Sequence, residues 1–249
     1  MATGRPEFPL AAIEWLTEGA SRTAPVLTLA TAPKVPRLLA AAGFDVVVAL
    51  RERDETARFA GVSEIRTVVA RAEALPFATH GIGTIIAYQS LHRFAPGLAM
   101  PELARVLRPG GHVAACYFIR DDSLPWVKRL VAMMREINPA AMPADDSAQH
   151  QPLTTSKYFP DAANKDFRVW VSVSRSQLVT MVAHQPEVDT LSTAERASLL
   201  DAAGGIYDSA SSGGELRLPY YLRCWRAGVD HTEFTRPVRL ANDGLIISL

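Results

Sequence analysis

Cysteine is almost missing from this 249-residue chain: Cys116 and Cys224 are the only two, and both sit inside apolar runs. A disulfide framework needs more thiols, so the pair reads as reduced core cysteines, the usage of a cytoplasmic protein. No Cys-x-x-Cys and no His-Glu-x-x-His occurs, which removes the commonest zinc signatures and predicts no metal site. An excess charge of one sign is also lacking. The 26 basic and 26 acidic residues cancel, whereas a chain built to grip phosphate backbones carries a basic surplus, so nucleic acid is not an expected partner. Apolar runs stay short, like that at 46–50, far below the ~20 residues that span a bilayer. No membrane contact is expected, and the first 16 residues lack the basic-then-apolar pattern of a signal peptide.

What is present is material for a core. Hydrophobic residues make up 48% of the chain, and a chain of this length buries most of its unfolded surface. The reading is one domain over residues 1–249, with a core at about 8–227 and a C-terminal extension at 228–249. Short β-like runs alternate with helical patterns over the first two thirds, the signature of a parallel sheet with crossover helices. Strands are expected at residues 26–29, 45–50, 64–70, 82–88 and 112–118, with a short helix at 51–59 and another at 101–107. Helical spacing of Val35, Leu38, Leu39 and Ala42 follows the first strand and stops at Gly43. From Ser123 a helix carries Trp126, Val127, Leu130, Val131, Met134 and Ile137 as one apolar stripe. Residues 138–156 read as a loop or cover. Ser174 with Gln177, and Ser192 with Glu195, are capping-box signatures that start two more helices. A last strand is expected at 216–225.

Three segments then occur in order: Arg71-Ala72-Glu73-Ala74-Leu75-Pro76-Phe77, Gln89-Ser90-Leu91-His92-Arg93-Phe94, and Glu102-Leu103-Ala104-Arg105-Val106-Leu107-Arg108-Pro109-Gly110-Gly111. Together they resemble the corresponding segments of class I, S-adenosylmethionine-dependent methyltransferases of the small-molecule type. The likeness runs over roughly residues 8–227. It implies a Rossmann-like seven-stranded α/β sheet of order 3-2-1-4-5-7-6, strand 7 antiparallel, with helices on both faces. It also implies a cofactor laid across the carboxyl ends of strands 1, 2 and 4, where open α/β sheets bind ligands. The Arg-Pro-Gly-Gly run reads as a helix stop and turn that identifies the fold without touching a ligand.

The cofactor positions implied by the resemblance are Thr28, Ala30, Ala32, Leu50, Arg71, Ala72, Glu73 and Gln89, and several depart from the family pattern. The family's first loop is glycine-rich, whereas residues 26–36 contain no glycine. Thr28 stands where an acid is usual, Ala30 and Ala32 replace glycines, and one loop residue is missing. Pro33 and Pro36 remove two backbone donors from the helix start that would hold an anion. At the end of strand 2, Leu50 stands for the acid that accepts the ribose hydroxyls. Glu52, Asp54 or Glu55 could substitute, although all three also suit a helix surface. Gly83 and Arg71 replace further polar family residues. His92 is the candidate base, with Tyr88, Gln89, Tyr117 and Asp121 expected nearby; its alternative is a packing role.

Two functions follow. One is a pseudoenzyme or partner subunit on the methyltransferase fold, with lost or altered S-adenosylmethionine binding and a small molecule or a protein as partner, in a homo- or heterodimer. The other is an active methyltransferase that holds S-adenosylmethionine through a non-standard loop and methylates a small acceptor. A nicotinamide oxidoreductase is excluded, because no Gly-x-Gly-x-x-Gly follows strand 1. The extension finishes Gly244-Leu245-Ile246-Ile247-Ser248-Leu249. Each large apolar side chain gains about 1.5–3 kcal/mol on burial, so this run is expected to pack as a strand rather than trail in solvent. Deleting residues 241–249 should then lower the melting temperature or change the mass seen by light scattering.

Overall fold

Val26–Leu29 (β1) has all four side chains buried, which a strand achieves only when both faces of its sheet are covered. The computed structural model describes residues 6–29, 32–139, 141, 147–211 and 213–235. Among them β1 lies between Val46–Leu50 (β2) and Ile82–Tyr88 (β4), parallel to both. Ile65–Val69 (β3) adds to β2, and Leu107–Arg120 (β5) adds to β4, again in parallel. Leu216–Gly228 (β7) runs antiparallel to β5 and to the outer strand Ala163–Val173 (β6). The seven-stranded order is β3-β2-β1-β4-β5-β7-β6, as the resemblance implied. No helix among the described residues is long and apolar enough to cross a membrane.

Side chains alternate across the strands, so each strand feeds two cores. On one face Val26, Val46, Val48, Leu50 and Ile86 pack against Leu10–Leu16 (α1) and Lys34–Ala41 (α2) through Ile13, Leu16, Val35 and Leu39. On the other, Leu27, Leu29, Val47, Ala49 and Ile85 meet Met100 and Leu103 of Pro96–Val106 (α3). A third core joins β6 and β7 to Pro125–Ile137 (α4), Arg175–Ala183 (α6) and Thr193–Ala210 (α7). Both capping boxes form: Ser174 and Ser192 accept from the amides of Gln177 and Glu195 at the heads of α6 and α7. Cys116 and Cys224 face each other across β5 and β7 as free, buried thiols.

Several expectations shift. Strand 5 begins at Leu107, not at 112, because Leu107 pairs with Ile82 before the register slips at Gly83. Gly110 takes a left-handed φ of 76° there, and a Cβ on Gly111 would lie 2.7 Å from the Gly83 carbonyl oxygen. The segment read as a loop holds Ser147–Thr154 (α5), tied down by the fully buried Leu153. Residues 163–173, for which no strand was expected, form β6, while the short helix expected at 51–59 forms as a 3₁₀ helix at Arg53–Phe59. The terminal run 241–249 lies outside the described residues. The start of the extension is docked: Asp230 donates its amide to the Tyr158 carbonyl, and His231 Nε2 lies 3.0 and 2.9 Å from the carbonyls of Ala104 and Leu107.

The end of α1 is held by His112, whose Nε2 lies 2.8 Å from the Leu16 carbonyl oxygen, and by Arg226, which donates to the Trp15 carbonyl. Two predictions follow. A Cβ on Gly83 would sit 2.8 Å from the Ala24 Cβ, so Gly83→Ala should cost about 1–3 kcal/mol through overpacking, read as a lower urea midpoint. Burial of the His112 ring holds its pKa below the usual histidine value; the Leu16 carbonyl opposes this and Arg226 reinforces it. The unfolded chain therefore takes up this proton first as pH falls, and stability should drop as pH passes below about 6.5. Melting curves from about pH 7.5 to 5.5 should show that loss, and His112→Gln should reduce it.

Candidate functional site

The parallel strands all point their carboxyl ends to one edge of the sheet, and a cleft opens there. Its inner cavity, about 350 Å³, is walled by Leu29 from β1, Ala49 from β2, Ala70 and Ala72 after β3, and Phe94 after β4. The polar groups on its wall are Arg51, Glu52, Glu55, Arg71, Glu73, Ser90 and Arg93. A second cavity of about 530 Å³ is lined by Pro6, Ala32, Tyr88, Gln89, Phe118 and Tyr220. Ser90 and Arg93 line both, so they stand where the two meet. Ser90 is buried, and its hydroxyl donates to the Leu29 carbonyl at 2.5 Å, clipping the end of β4 to the end of β1.

Several carboxylates at the cleft are already engaged. Glu55 Oε2 accepts from the amides of Arg51 and Glu52 at 3.1 and 3.2 Å, which folds the chain back after β2. Glu73 Oε1 accepts from the Ala95 amide at 2.8 Å. Beneath the cleft Glu102 accepts from the Leu75 amide, while Arg105 binds Glu102 and the carbonyls of Leu75 and Phe77. The Leu-Pro-Phe and Glu-Leu-Ala-Arg segments thus clasp one another. They build the fold and do not line the cleft.

The residues singled out in the sequence divide accordingly. Arg71, Ala72 and Glu73 line the inner cavity, and Ala32 and Gln89 the second. Gln89 closes β4 in a left-handed turn, φ 50°. Thr28 is fully buried in the sheet, its hydroxyl 3.5 Å from the Val47 carbonyl. Leu50 is 1% exposed and packs with Val35, Leu39 and Phe59. Neither is among the cavity-lining residues; Glu52 and Glu55 are. Gly83 lies near the amino end of β4, its amide bonded to the Pro25 carbonyl, so it bears on packing rather than on the cleft. Ala30 lies outside the described residues. Ser90, Arg93 and Phe94 also line the inner cavity, and the one sequence signal for this is their position just past β4.

The start of α2 is poor in donors. Pro33 caps it without a side-chain hydrogen bond, and Pro36 occupies the third helical position. Of the four amides that a helix start normally offers, only those of Lys34 and Val35 remain. His92 is exposed and lines neither cavity; its ring centre lies 6.0 Å from that of the buried Tyr117. Partial burial, then the neighbouring Arg93, lower its pKa, which keeps it neutral near pH 7. Asp121 is committed elsewhere: it accepts from the Ser123 amide and pairs with Arg168 at 2.8 Å. No cluster of histidine, cysteine or acidic residues that could hold a metal ion occurs among the described residues.

Comparison with known proteins bears on the fold. Residues 32–115 match the family described as a methyltransferase domain. An uncharacterized methyltransferase of Mycobacterium tuberculosis is 29% identical over 231 residues, covering 90% of each chain. An uncharacterized methyltransferase of Schizosaccharomyces pombe is 27% identical over 143 residues, 54% of this chain and 55% of that one. The structure of a candidate type II methyltransferase from Anaeromyxobacter dehalogenans superposes with a TM-score of 0.70 at 19% identity, covering 90% of this chain and 97% of that one.

The position of Leu50 yields a third prediction. Leu50→Asp is the change that sequence alone would suggest to restore a ribose acceptor. Here it places an unpaired carboxylate in the α2 core and should cost at least about 3 kcal/mol. Chemical denaturation should show that loss with no gain in affinity for S-adenosylmethionine.

Proposed function

We propose that this chain, which resembles the class I, S-adenosylmethionine-dependent methyltransferases, is a pseudoenzyme or partner subunit that keeps the nucleoside half of the cofactor cleft. The methionine half has lost its anchors. The observation that carries this is a contrast within one cleft. The cavity at the ends of β1, β2, β3 and β4 is open and apolar-walled, while the helix start beside it retains two of four amides and no side-chain cap. The nucleoside end fits the walls present. The methionine carboxylate does not fit this helix start, and no methyl-transfer step is derived through it. A second chain, in a homo- or heterodimer, would give such a binding subunit its role.

A second reading is an active methyltransferase with a non-standard loop, and one feature favours it: Glu52 lines the inner cavity just after β2, where a ribose acceptor is needed. The test is titration calorimetry with adenosine, S-adenosylhomocysteine and S-adenosylmethionine. On the proposal, adenosine binds at least as tightly as S-adenosylmethionine, since the methionine moiety adds nothing. Affinity for S-adenosylmethionine at least about tenfold above that for adenosine, a gain of about 1.4 kcal/mol, would favour the active enzyme.

A further inference from the structure

We infer that the ligand of the inner cavity is an anionic, phosphorylated nucleoside, held by Arg51, Arg71 and Arg93, rather than a cationic sulfonium compound. The inference rests on the reading that this cavity accepts a nucleoside, and deepens it by assigning the charge. All three arginines line the cavity. Among the described residues none of the three guanidiniums has a hydrogen bond or an ion pair. Several other arginines of this chain pair with acids, among them Arg66 with Asp45, Arg105 with Glu102, Arg120 with Asp122, Arg168 with Asp121, Arg223 with Asp166 and Arg226 with Glu18. What sets Arg51, Arg71 and Arg93 apart is that they line one cavity together.

Three acids share the wall with the three arginines, and each is held by backbone amides. Glu55 is tied to two amides and lies 3.5 Å from Arg58, Glu73 is tied to the Ala95 amide, and the Glu52 side chain accepts from the backbone of the turn that follows it. The guanidiniums are the charged groups left with their donors unused. Guanidinium forks match phosphate oxygens in pairs, the strongest hydrogen bonds a protein offers short of a metal. In dinucleotide-binding sheets, an acid at this edge suits a ribose hydroxyl, whereas an arginine suits a ribose phosphate. Arg51, next after the last residue of β2, stands at that edge.

Arg93 adds a second argument. With Ser90 it stands at the junction of the two cavities, where a substituent on a bound ribose would pass from one into the other. A sulfonium there meets a like charge, while a phosphate meets an opposite one. The base has its own place: Leu29, Ala49, Ala70, Ala72 and the Phe94 ring supply an apolar wall, and a cavity of about 350 Å³ lies within the usual range for small ligands.

The test is calorimetry on the full chain with adenosine, its 5′- and 3′-monophosphates, inorganic phosphate and S-adenosylmethionine. At least one monophosphate should bind about tenfold or more tighter than adenosine, with the gain shrinking as salt is raised. Arg51→Gln, Arg71→Gln and Arg93→Gln should each lower the affinity for the monophosphate more than that for adenosine, and so cut into that gain, while the melting temperature stays unchanged, since all three residues are exposed. Adenosine binding without gain from a phosphate overturns the inference and leaves the nucleoside reading standing. Inorganic phosphate binding as tightly as the monophosphates overturns the nucleoside part. Failure of every ligand to bind overturns both.

Discussion

The placement of β1 between β2 and β4 is the constraint on which the cleft depends. Its four side chains are buried on two faces, and the three aliphatic ones, Val26, Leu27 and Leu29, each contribute on the order of 1.5–3 kcal/mol by leaving water. At its amino end the Val26 amide bonds to the Asp45 carbonyl, and the Gly83 amide to Pro25. At its carboxyl end the Ser90 hydroxyl bonds to Leu29. Parallel neighbours cannot be joined by tight turns, so each connection leaves the same edge of the sheet. The segments after β1, β2, β3 and β4 therefore converge, and the cavity is the space between them.

The same alternation that builds two cores decides which residues reach that space. Thr28 and Leu50 belong to the face that packs on α1 and α2, whereas Leu29 and Ala49, one residue away in each strand, belong to the other face and border the cavity. A family position carried over by sequence alone can therefore fall on the wrong side of a strand end. The polar work passes to residues just beyond the strands. Their side chains are free of the sheet's alternation, and their backbones are fixed by local bonds such as those of Glu55 and Glu73.

A large part of the family signature serves construction. Glu102 and Arg105 stitch α3 to the Leu75–Phe77 segment, and Gly111 passes so close to Gly83 that a Cβ would not fit. Such contacts keep the fold recognisable while the ligand-facing residues change. The proline-rich start of α2 is a change of that second kind: it removes two backbone donors while Val35 and Leu39 keep their places in the core.

By itself the sequence determined the order of β1 to β5 and β7, the two capping boxes and the alternating α/β class, but not α1 or β6. Each rests on local periodicity or on side-chain-to-backbone bonds within three residues, as at Ser174 and Ser192. It also located the lost glycines and the two prolines. Only tertiary structure decided that Leu107 already pairs in β5, that residues 147–154 form a helix over the sheet, and that Leu50 is core while Glu52 and Arg93 border the cleft. Those outcomes turn on residues far apart in the chain, Leu107 paired with Ile82, and Arg93 lining the same cavity as Arg51 and Arg71. A one-residue difference at a strand end reverses the face a side chain meets, and no local pattern carries that information.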